Sequence, residues 1–464
     1  MKKYYLGIDL GTSSIKGIIR STDGVNLVSK VSYTEISVPT FLTALKCLIN
    51  DLSGKISGET LSAISFSSQV GTYIVDGKDI ISWQSPVGKE QLQEIKAVIS
   101  QDEFIENIGM PHPDMNSYPL PRFKHIKDEY GDGVEVVMPK EILIRALTGN
   151  TVTDVFSYRG LANPKRKSYP DKLLKKLGIN FKLPTLKTPF DLAGFVTETA
   201  EKEFGIKQGT PVYVGCNDFF AGLLGMGVVD VGTAFDLSGT SEHIGYISDT
   251  LIEDGIISGG YFNGYCTYGG TKSSGVSCDF AIKNFDINSI DINDCLTENA
   301  PIFLPYLNGE RAPVFDENAR GVYFGLNGKT DAVNMAYATL EGVVFSLYDI
   351  AKSLNMPTPK RLICGGGSAK DKVMLKLKAE LFGCEVVRVK ENDTSALGAC
   401  LIAMIADGVY KDIRDAIEKT VEYTDITLPN GLYREKLLKR FDIYRSVYKN
   451  LKETFVEFNK IKEK

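Results

Sequence analysis

The first residues that could do chemistry lie near the start of the 464-residue chain. Asp9, Gly11 and Thr12 follow an apolar run, and Lys16 comes shortly after them. Glycine lets the backbone approach an anion closely, successive N–H groups can bind phosphate oxygens, and a nearby carboxylate can hold Mg²⁺, usually through water. The pattern therefore predicts either a phosphate turn with Asp9 as metal ligand, or an ordinary hairpin with a polar turn.

A similar segment occurs in the second half of the chain. Residues 233–247 consist of a strand-like run, the turn S-G-T-S at 238–241 and a second strand-like run, as the segment around Asp9 does. Self-similarity at this separation favours two related domains, each opening with a phosphate-binding turn. Two such turns predict a nucleotide-binding cleft between the domains.

A glycine run follows a third apolar strand. Residues 365–368 read G-G-G-S, between the apolar run 361–363 and a helical pattern over 373–382. A strand, a glycine run and a helix in this order can expose the N–H groups of the helix start to a ligand. The alternative is a flexible turn. The run is not a dinucleotide fingerprint, because Ala369 and Lys370 occupy the downstream positions.

Asp218 is the candidate general base. It follows the apolar strand 211–214 and begins the small-residue run 219–222. A carboxylate in this position could take the proton from an attacking hydroxyl. An aspartate before a helix is also a common N-cap, so the spacing leaves both roles open.

The elements around these residues predict an α/β fold with a mixed sheet. Two strands flank the first turn, an apolar pattern at helical spacing covers 41–51, and strands are predicted at 61–66 and 73–75. The prolines of 111–122 predict a loop. Spaced apolar residues over 435–458 predict an amphipathic helix that packs on the protein body or, alternatively, faces a partner.

The glycine-rich stretch 222–229 marks the predicted domain boundary. The chain should divide into an N-terminal domain, 1–228, and a C-terminal domain, 229–464.

Composition excludes several classes of protein. Hydrophobic residues make up 43% and charged residues 24%, which excludes wholesale disorder. The net charge is −5 without a dominant charge block, so neither a nucleic-acid partner nor membrane binding is expected. Three histidines argue against a multi-histidine zinc site or a Ser-His-Asp hydrolase. Eight cysteines without a C-x-x-C pair, and no apparent signal or spanning segment, predict a cytoplasmic location.

Taken together, the motifs resemble those of the FGGY family of carbohydrate kinases, in the actin/hexokinase/Hsp70-like ATPase superfamily. Any one motif is weak, but their order along nearly the whole chain is specific. The matching segments are I-D-L-G-T-S-S-I-K at 8–16, G-C-N-D-F-F-A-G at 215–222, L-S-G-T-S at 237–241, the stretch 303–326, G-G-G-S at 365–368 and D-T-S-A-L-G-A at 393–399.

The resemblance implies a fold, two ligands and a set of site residues. The fold would be two ribonuclease H-like (actin-like ATPase) domains with an inter-domain cleft, and the ligands ATP with Mg²⁺ and a small sugar or polyol. Asp218 would be the catalytic base and Asp9 the metal ligand. The implied cofactor-binding residues are Gly11, Thr12, Ser13, Lys16, Gly239, Thr240, Gly366, Gly367 and Ser368, and the implied sugar-binding residues are Gln69, Trp83, Asn217 and Asp218.

The sugar-binding segments depart from the family pattern. Xylulokinases carry Gln-Met-His-Gly where this chain has Gln69-Val70-Gly71, and relatives carry Trp-Asn-Asp or Trp-Gln-Asp where Ser85 follows Trp83-Gln84. A carboxylate can accept two hydrogen bonds side by side, whereas a serine hydroxyl cannot. The identity of the sugar is therefore the least determined part of the prediction.

The resulting prediction is an ATP-dependent sugar kinase that transfers the γ-phosphate to a sugar hydroxyl. A pentulose such as D-xylulose is the first candidate, and gluconate or another polyol or ketose the next. A regulatory nucleotide-binding relative without sugar turnover, and a phosphotransferase or ATPase with a non-sugar acceptor, are the competing classes. The resemblance leaves a homodimer open.

Overall fold

A computed structural model of the protein describes residues 2–56, 58–112, 115–239, 242–253, 257–285, 290 and 299–462. The strands are β1 (Tyr4–Leu10), β2 (Ser14–Ser21), β3 (Asn26–Ser32), β4 (Leu61–Ser68), β5 (Tyr73–Val75), β6 (Asp79–Ile81), β7 (Val136–Val137), β8 (Val152–Asp154), β9 (Thr185–Lys187), β10 (Leu192–Phe195), β11 (Pro211–Asn217), β12 (Ala234–Ser238), β13 (Glu242–Ser248), β14 (Ile257–Tyr261), β15 (Gly264–Thr271), β16 (Ile302–Leu304), β17 (Val322–Phe324), β18 (Arg361–Gly366), β19 (Glu385–Val389) and β20 (Tyr423–Thr427).

The helices alternate with these strands. They are α1 (Val38–Lys55), α2 (Lys89–Val98), α3 (Gln101–Ile108), α4 (Pro119–Tyr130), α5 (Pro139–Thr148), α6 (Asp171–Lys176), α7 (Glu198–Phe204), α8 (Asp218–Gly225), α9 (Gly275–Asn284), α10 (Ala332–Ser353), α11 (Lys372–Phe382), α12 (Thr394–Ala406), α13 (Ile413–Thr420) and α14 (Arg434–Lys462). Among the described residues, none of these helices has the length and apolar character that a membrane crossing needs.

The chain forms two compact units. Unit 1 comprises Met1–Val229, Gly259–Phe262 and Asp393–Val421, and unit 2 comprises Asp230–Ser258, Asn263–Asn392 and Glu422–Lys464.

The sheet of unit 1 brings the ends of three parallel strands together. Its six described strands lie in the order β10-β11-β4-β1-β2-β3. Strand β1 is antiparallel to β2 but parallel to β4, and β4 is parallel to β11. Because parallel strands end at one edge of a sheet, Asp9, Ser67 and Asn217 lie at the same edge.

Helix α1 covers the apolar side of this sheet. The hydroxyl of its N-cap, Ser37, accepts a hydrogen bond from the backbone N–H of Thr40, which satisfies one of the free N–H groups of the first turn. Phe41, Leu45 and Leu48 lie at helical spacing and are fully buried in the unit 1 core. The helix predicted at 41–51 is confirmed, with bounds a few residues wider.

Helix α12 belongs to unit 1, although it lies late in the chain. An ideal Cβ added at Gly398 would lie 1.8 Å from the backbone oxygen of Ala221 in α8, and one added at Gly7 would lie 2.2 Å from that of Ala396. Such approaches of backbone to backbone are open to glycine alone. Residues 393–421 belong to unit 1, although the sequence-based division into 1–228 and 229–464 puts them in the C-terminal domain.

The sheet of unit 2 repeats the strand order of unit 1. Six of the seven strands of this sheet lie in the order β15-β13-β12-β18-β19-β20. Strands β12, β13 and β15 are antiparallel neighbours, whereas β12, β18 and β19 are parallel. The series β3-β2-β1-β4-β11 of unit 1 has the same order and the same directions. The internal similarity predicted from the two turns is therefore confirmed.

The carboxyl-terminal helix α14 packs on the core of unit 2. Leu437, Phe441 and Tyr444 are buried there, and the Phe441 ring lies 5.7 Å from the Phe345 ring of α10, centroid to centroid. The predicted amphipathic helix is confirmed, and its apolar stripe faces the protein's own core.

One local prediction was wrong. The proline-rich stretch 111–122 was expected to be loop, but α4 begins at Pro119 and includes Pro121. Both prolines occupy the first turn of the helix, where the backbone N–H that proline lacks would have no intrahelical partner.

Candidate active site

Three neighbouring strands of unit 1 place Asp9 beside two polar side chains. In the strand register Asp9 lies opposite Lys16 on β2 and opposite Ser67 on β4. The Ser67 hydroxyl donates a 2.7 Å hydrogen bond to Asp9 Oδ1. Burial raises the pKa of Asp9, and the Ser67 hydrogen bond and the Lys16 charge only partly oppose this effect.

The donor set around Asp9 fits Mg²⁺ better than a metal held by protein ligands alone. No group of three or more His, Cys, Asp or Glu side chains that could hold a metal occurs in the part of the chain that the structure describes. Mg²⁺ is commonly bound through one or two carboxylates, with water and phosphate oxygens completing the shell. Asp9 could supply that carboxylate.

Lys16 forms an ion pair with Asp393. Its Nζ lies 2.5 Å from Asp393 Oδ1, and each side chain is about one-third exposed. Asp393 directly precedes α12 and opens the late motif D-T-S-A-L-G-A. The late motif thus contacts the first predicted phosphate turn within unit 1.

Asp218 is the first residue of α8, and it is not the N-cap. Asn217 takes that role: its Oδ1 accepts a 2.7 Å hydrogen bond from the Phe220 N–H. Asp218 Oδ1 accepts a 2.8 Å hydrogen bond from the N–H of Phe219. The Ser395 hydroxyl of α12 donates to the Asp218 backbone oxygen at 2.9 Å, which joins the starts of the two helices.

The electrostatic surroundings of Asp218 suit a general base. Burial and the nearby charge of Asp9 raise its pKa to about 7, against the opposing effect of the Phe219 N–H. The residue as a whole is partly exposed. A base whose pKa lies near the working pH combines adequate basicity with the deprotonated form.

Asn217 has a structural role in addition to its predicted sugar contact. Its Nδ2 donates a 2.9 Å hydrogen bond to the backbone oxygen of Phe156, while its Oδ1 caps α8. Both ends of the amide therefore hold α8, and with it Asp218, in place. The sugar contact stays a prediction.

A chain of hydrogen bonds joins Thr12 to two predicted sugar-binding residues. The Thr12 hydroxyl donates to Gln69 Oε1 at 2.8 Å and accepts from Trp83 Nε1 at 3.1 Å. Gln69 is buried, whereas Trp83 is 37% exposed. The turn itself is closed by the Gly11 N–H, which donates to the Ser14 oxygen, and Ser13 at its tip is exposed.

In unit 2 the second turn and the glycine run lie side by side. The Ser238 hydroxyl donates to the Gly365 oxygen and accepts from the Ser368 N–H, both at 2.9 Å. Gly366 has φ +87°, and a Cβ there would lie 1.9 Å from the Ser238 oxygen, so the position requires glycine. A Cβ at Gly367 would meet nothing within 4 Å.

The remaining residues of the second turn are only partly described. Gly239 is exposed, as a phosphate-binding backbone would be, and Thr240 lies outside the described residues.

A buried ionic network supports both segments of unit 2. The Lys378 ammonium, fully buried in α11, contacts Asp236 and lies 2.9 Å from Glu242 Oε1. Glu242 also accepts hydrogen bonds from the hydroxyls of Ser368 and Ser274. Burial opposes the ionisation of both acids, but the Lys378 charge and the hydrogen bonds from Asp236 and Ser274 lower the pKa of Glu242, whereas burial and the charge of Glu242 raise the pKa of Asp236.

This network was not predicted from the sequence, although one signal for it was present. Lys378 interrupts the apolar face of α11, between Met374 and Phe382. A lysine in such a position either turns outward or finds buried acidic partners, and Asp236 and Glu242 are the acids closest to the second turn in sequence. No sequence signal pointed to Ser67 or to the pairing of Lys16.

Comparison with known proteins agrees with this geometry. The N-terminal domain of the FGGY family of carbohydrate kinases matches residues 4–225, and its C-terminal domain matches residues 239–406. The chain is 28% identical to a xylulose kinase of Lactococcus lactis subsp. lactis, over 98% of this chain and 99% of the relative. It is 27% identical to a gluconokinase of Bacillus subtilis, over 92% of each.

Solved structures of a xylulose kinase and a gluconate kinase are also similar to this chain. The xylulose kinase of Lactobacillus acidophilus with bound ligand superposes with a TM-score of 0.87 at 26% identity, over 98% of this chain and 100% of that structure. The gluconate kinase of the same organism gives 0.86 at 26% identity, over 99% and 100%.

The repeated α/β units and the acidic site at the ends of β1 and β11 define a sugar kinase of the actin-like ATPase fold. The chain belongs to the FGGY family of carbohydrate kinases, as the two family matches show. The predicted family, fold class and enzyme class are confirmed.

Proposed function

We propose that this kinase transfers the γ-phosphate of ATP to a hydroxyl of a pentulose, with D-xylulose as the first substrate to test. The observation that carries the chemical part is Asp218, a partly exposed residue at the start of α8, since burial of its carboxyl group and the charge of Asp9 raise its pKa to about 7. The choice of sugar rests on relatives named xylulose kinase that match over 98% of the chain.

In the proposed mechanism, Asp218 accepts the proton of the attacking sugar hydroxyl. Asn217 fixes the start of α8, so that the carboxylate keeps its direction while the hydroxyl approaches. Gln69 and Trp83 bind the sugar. Because phosphoryl transfer depends mainly on positioning and electrostatic stabilisation, the rigid attachment of these residues to strand ends is the protein's main contribution.

The phosphates and adenosine are assigned to two sets of residues. Gly11, Ser13 and Lys16 of unit 1 bind phosphate oxygens, together with Gly239 and Thr240 of unit 2. Gly366, Gly367 and Ser368 line the adenosine side. Mg²⁺ held near Asp9 neutralises phosphate charge when it is bound. The pairing of Lys16 with Asp393 supports this assignment, since it holds the ammonium group next to Asp9.

Gluconate is the second candidate substrate. Gluconokinases of Bacillus subtilis and Bacillus licheniformis match at 27% and 26% identity. Ser85, where many relatives carry an aspartate, removes a negative charge that would repel the carboxylate of an aldonate.

An ADP-release assay over pentuloses, hexuloses, polyols and aldonates with Mg-ATP tests the proposal. ADP release that requires D-xylulose supports the first assignment, and release that requires gluconate supports the second. Release without any sugar, at the same rate as with one, contradicts a sugar kinase and favours the non-sugar phosphotransferase.

Substitution Asp218→Asn tests the catalytic base. Removing a general base lowers kcat by about 10²–10⁴-fold, while an amide of the same shape preserves the fold. Asp191→Asn, which changes an acid elsewhere in unit 1, is the matched control. Full sugar-dependent turnover by Asp218→Asn would refute the assignment.

A further inference from the structure

The hydroxyl of Thr12 determines which way the buried Gln69 amide faces. Indole Nε1–H can only donate, so Thr12 Oγ1 must act as the acceptor in its 3.1 Å contact with Trp83. The one hydroxyl hydrogen of Thr12 then goes to Gln69, at 2.8 Å. In this arrangement Gln69 Oε1 is the atom that accepts from Thr12, and the amide donor Nε2 takes no part in the contact.

The Nε2 group of Gln69 is buried and lacks a partner in the described part of the structure. Gln69 is 4% exposed, and its Nε2 has no hydrogen-bond partner among the described residues. A buried donor without a partner costs free energy of about 1–3 kcal/mol, so such groups usually meet a ligand or water. The backbone cannot turn the residue away, because the Gln69 N–H is bound to the Leu10 oxygen at 2.9 Å.

Trp83 is a rigid starting point for this chain of hydrogen bonds. Its backbone N–H donates to the Thr72 hydroxyl at 3.2 Å, and its backbone oxygen accepts from Arg122 Nη2 at 3.3 Å. Arg122 is fully buried and also donates to the Ser85 oxygen at 2.7 Å. The indole is thus held at both ends of the residue before it reaches Thr12.

We propose that Thr12 is a specificity-determining residue, whose hydroxyl orients the Gln69 amide so that Nε2 donates to an acceptor oxygen of the sugar. This inference rests on the proposed function. It gives the Thr12 side chain a role in sugar selection that differs from phosphate binding, the role suggested by its place in the first turn. Thr12 acts through Gln69, and is in that sense a positioning residue.

Thr12→Val removes the hydroxyl and keeps the shape of the side chain. The Gln69 amide then loses its fixed direction, and we expect KM for the sugar to rise about threefold to tenfold, the effect of one hydrogen bond. KM for ATP should stay within about twofold. Thr12→Ser retains the hydroxyl and should restore the wild-type KM for the sugar. Thr43→Val, an exposed threonine of α1, controls for the substitution itself.

Gln69→Glu provides a second, independent variant. A carboxylate still accepts the Thr12 hydrogen bond but has no donor for the sugar, so KM for the sugar should rise by at least as much as in Thr12→Val. In the double variant, KM for the sugar should rise by much less than the product of the two single-variant increases, because both changes remove the same contact. Unfolding midpoints of all variants identify any loss of fold.

The outcomes separate the inference from the proposed function. A higher KM for ATP with an unchanged KM for the sugar in Thr12→Val would show that Thr12 binds phosphate, and would overturn the inference while leaving the kinase intact. Multiplicative effects of the two substitutions would also overturn it. Wild-type protein without turnover of any sugar would overturn the proposed function first, and the inference with it.

Discussion

Two acids at the strand ends of unit 1 have different electrostatic surroundings. Asp9 accepts from the Ser67 hydroxyl and lies beside Lys16, which favours its charged form against the effect of burial. Asp218 has no cation among the groups that shift its pKa, and the charge of Asp9 adds to burial. Burial raises the pKa of both carboxyl groups, and only at Asp9 do a hydroxyl donor and a cation partly oppose this rise.

The pH dependence of the reaction follows from the pKa of Asp218. A base must be deprotonated to act. Burial, together with the charge of Asp9, raises the pKa of the Asp218 carboxyl group to about 7. We expect kcat/KM to fall about tenfold for each pH unit below 7 and to level off above it. A profile of kcat/KM from pH 5 to pH 9 measures this, and an acidic limb centred near 4 would show that Asp218 is not desolvated in solution.

At the scale of elements, the contact between α8 and α12 holds the site together. Both helices begin next to Asp218, where the Ser395 hydroxyl reaches the Asp218 backbone. Glycines on both helices and on β1 allow this approach. The A-L-G-A segment of the late motif therefore lets α12 pack closely against α8. The same motif begins with Asp393, which contacts the first turn through Lys16.

Gly398→Ala tests this packing. The new methyl group would lie 1.8 Å from the Ala221 oxygen, a backbone atom that cannot move aside. We expect a loss of about 1–3 kcal/mol or more in the free energy of unfolding, measured with urea. Gly54→Ala in α1 is the matched control, since its Cβ has nothing within 4 Å. Alanine there should stabilise the helix by about 0.5–1 kcal/mol. Equal effects of the two substitutions would contradict the packing argument.

The ionic network of α11 supports the turns of unit 2 in a different way. Lys378 contacts two buried acids that adjoin the second turn, and one of them, Glu242, also accepts a hydrogen bond from Ser368. Removal of the cation would leave buried negative charge without a partner.

Lys378→Met should therefore be strongly destabilising. A loss of about 3–5 kcal/mol in the free energy of unfolding is expected from a buried charge that loses its partner. Lys372→Met, an exposed lysine at the start of the same helix, should change the free energy by less than about 0.5 kcal/mol. A wild-type unfolding curve for Lys378→Met would show that the acids are neutral or hydrated in solution.

At the scale of the whole molecule, the same strand order occurs in both units. In each unit the first two strands are antiparallel neighbours, and each unit places polar residues at the ends of its parallel strands. The repeat explains why the similarity between the segment around Asp9 and residues 233–247 could be detected in the sequence.

Binding of ligands should stabilise the molecule as a whole. A ligand present at about a hundred times its Kd stabilises the folded state by roughly 2.7 kcal/mol. We expect Mg-ATP and one class of sugar each to raise the unfolding midpoint, with D-xylulose tested before gluconate. L-Arabinitol and glycerol serve as polyol comparisons. A sugar panel without any shift, alongside a shift with Mg-ATP, would favour the regulatory relative.

Most of the fold was predictable because it depends on local patterns. The strands around Asp9 and Asp236, helix α1 and helix α14 follow from apolar spacing, and the structure confirms each of them. The start of α4 was missed because prolines signal both loops and first helical turns, and local sequence does not separate the two.

The sequence by itself determined the family, the α/β class and the order of the motifs, because these depend on residue types and spacing along the chain. Only the tertiary structure decided how distant residues are paired: Lys16 with Asp393, Thr12 with Gln69 and Trp83, and Lys378 with two acids. Such pairs form between segments up to hundreds of residues apart, where sheet register and helix packing set the distances. The raised pKa of Asp218 has the same origin, since burial and a neighbouring charge exist only in the folded chain.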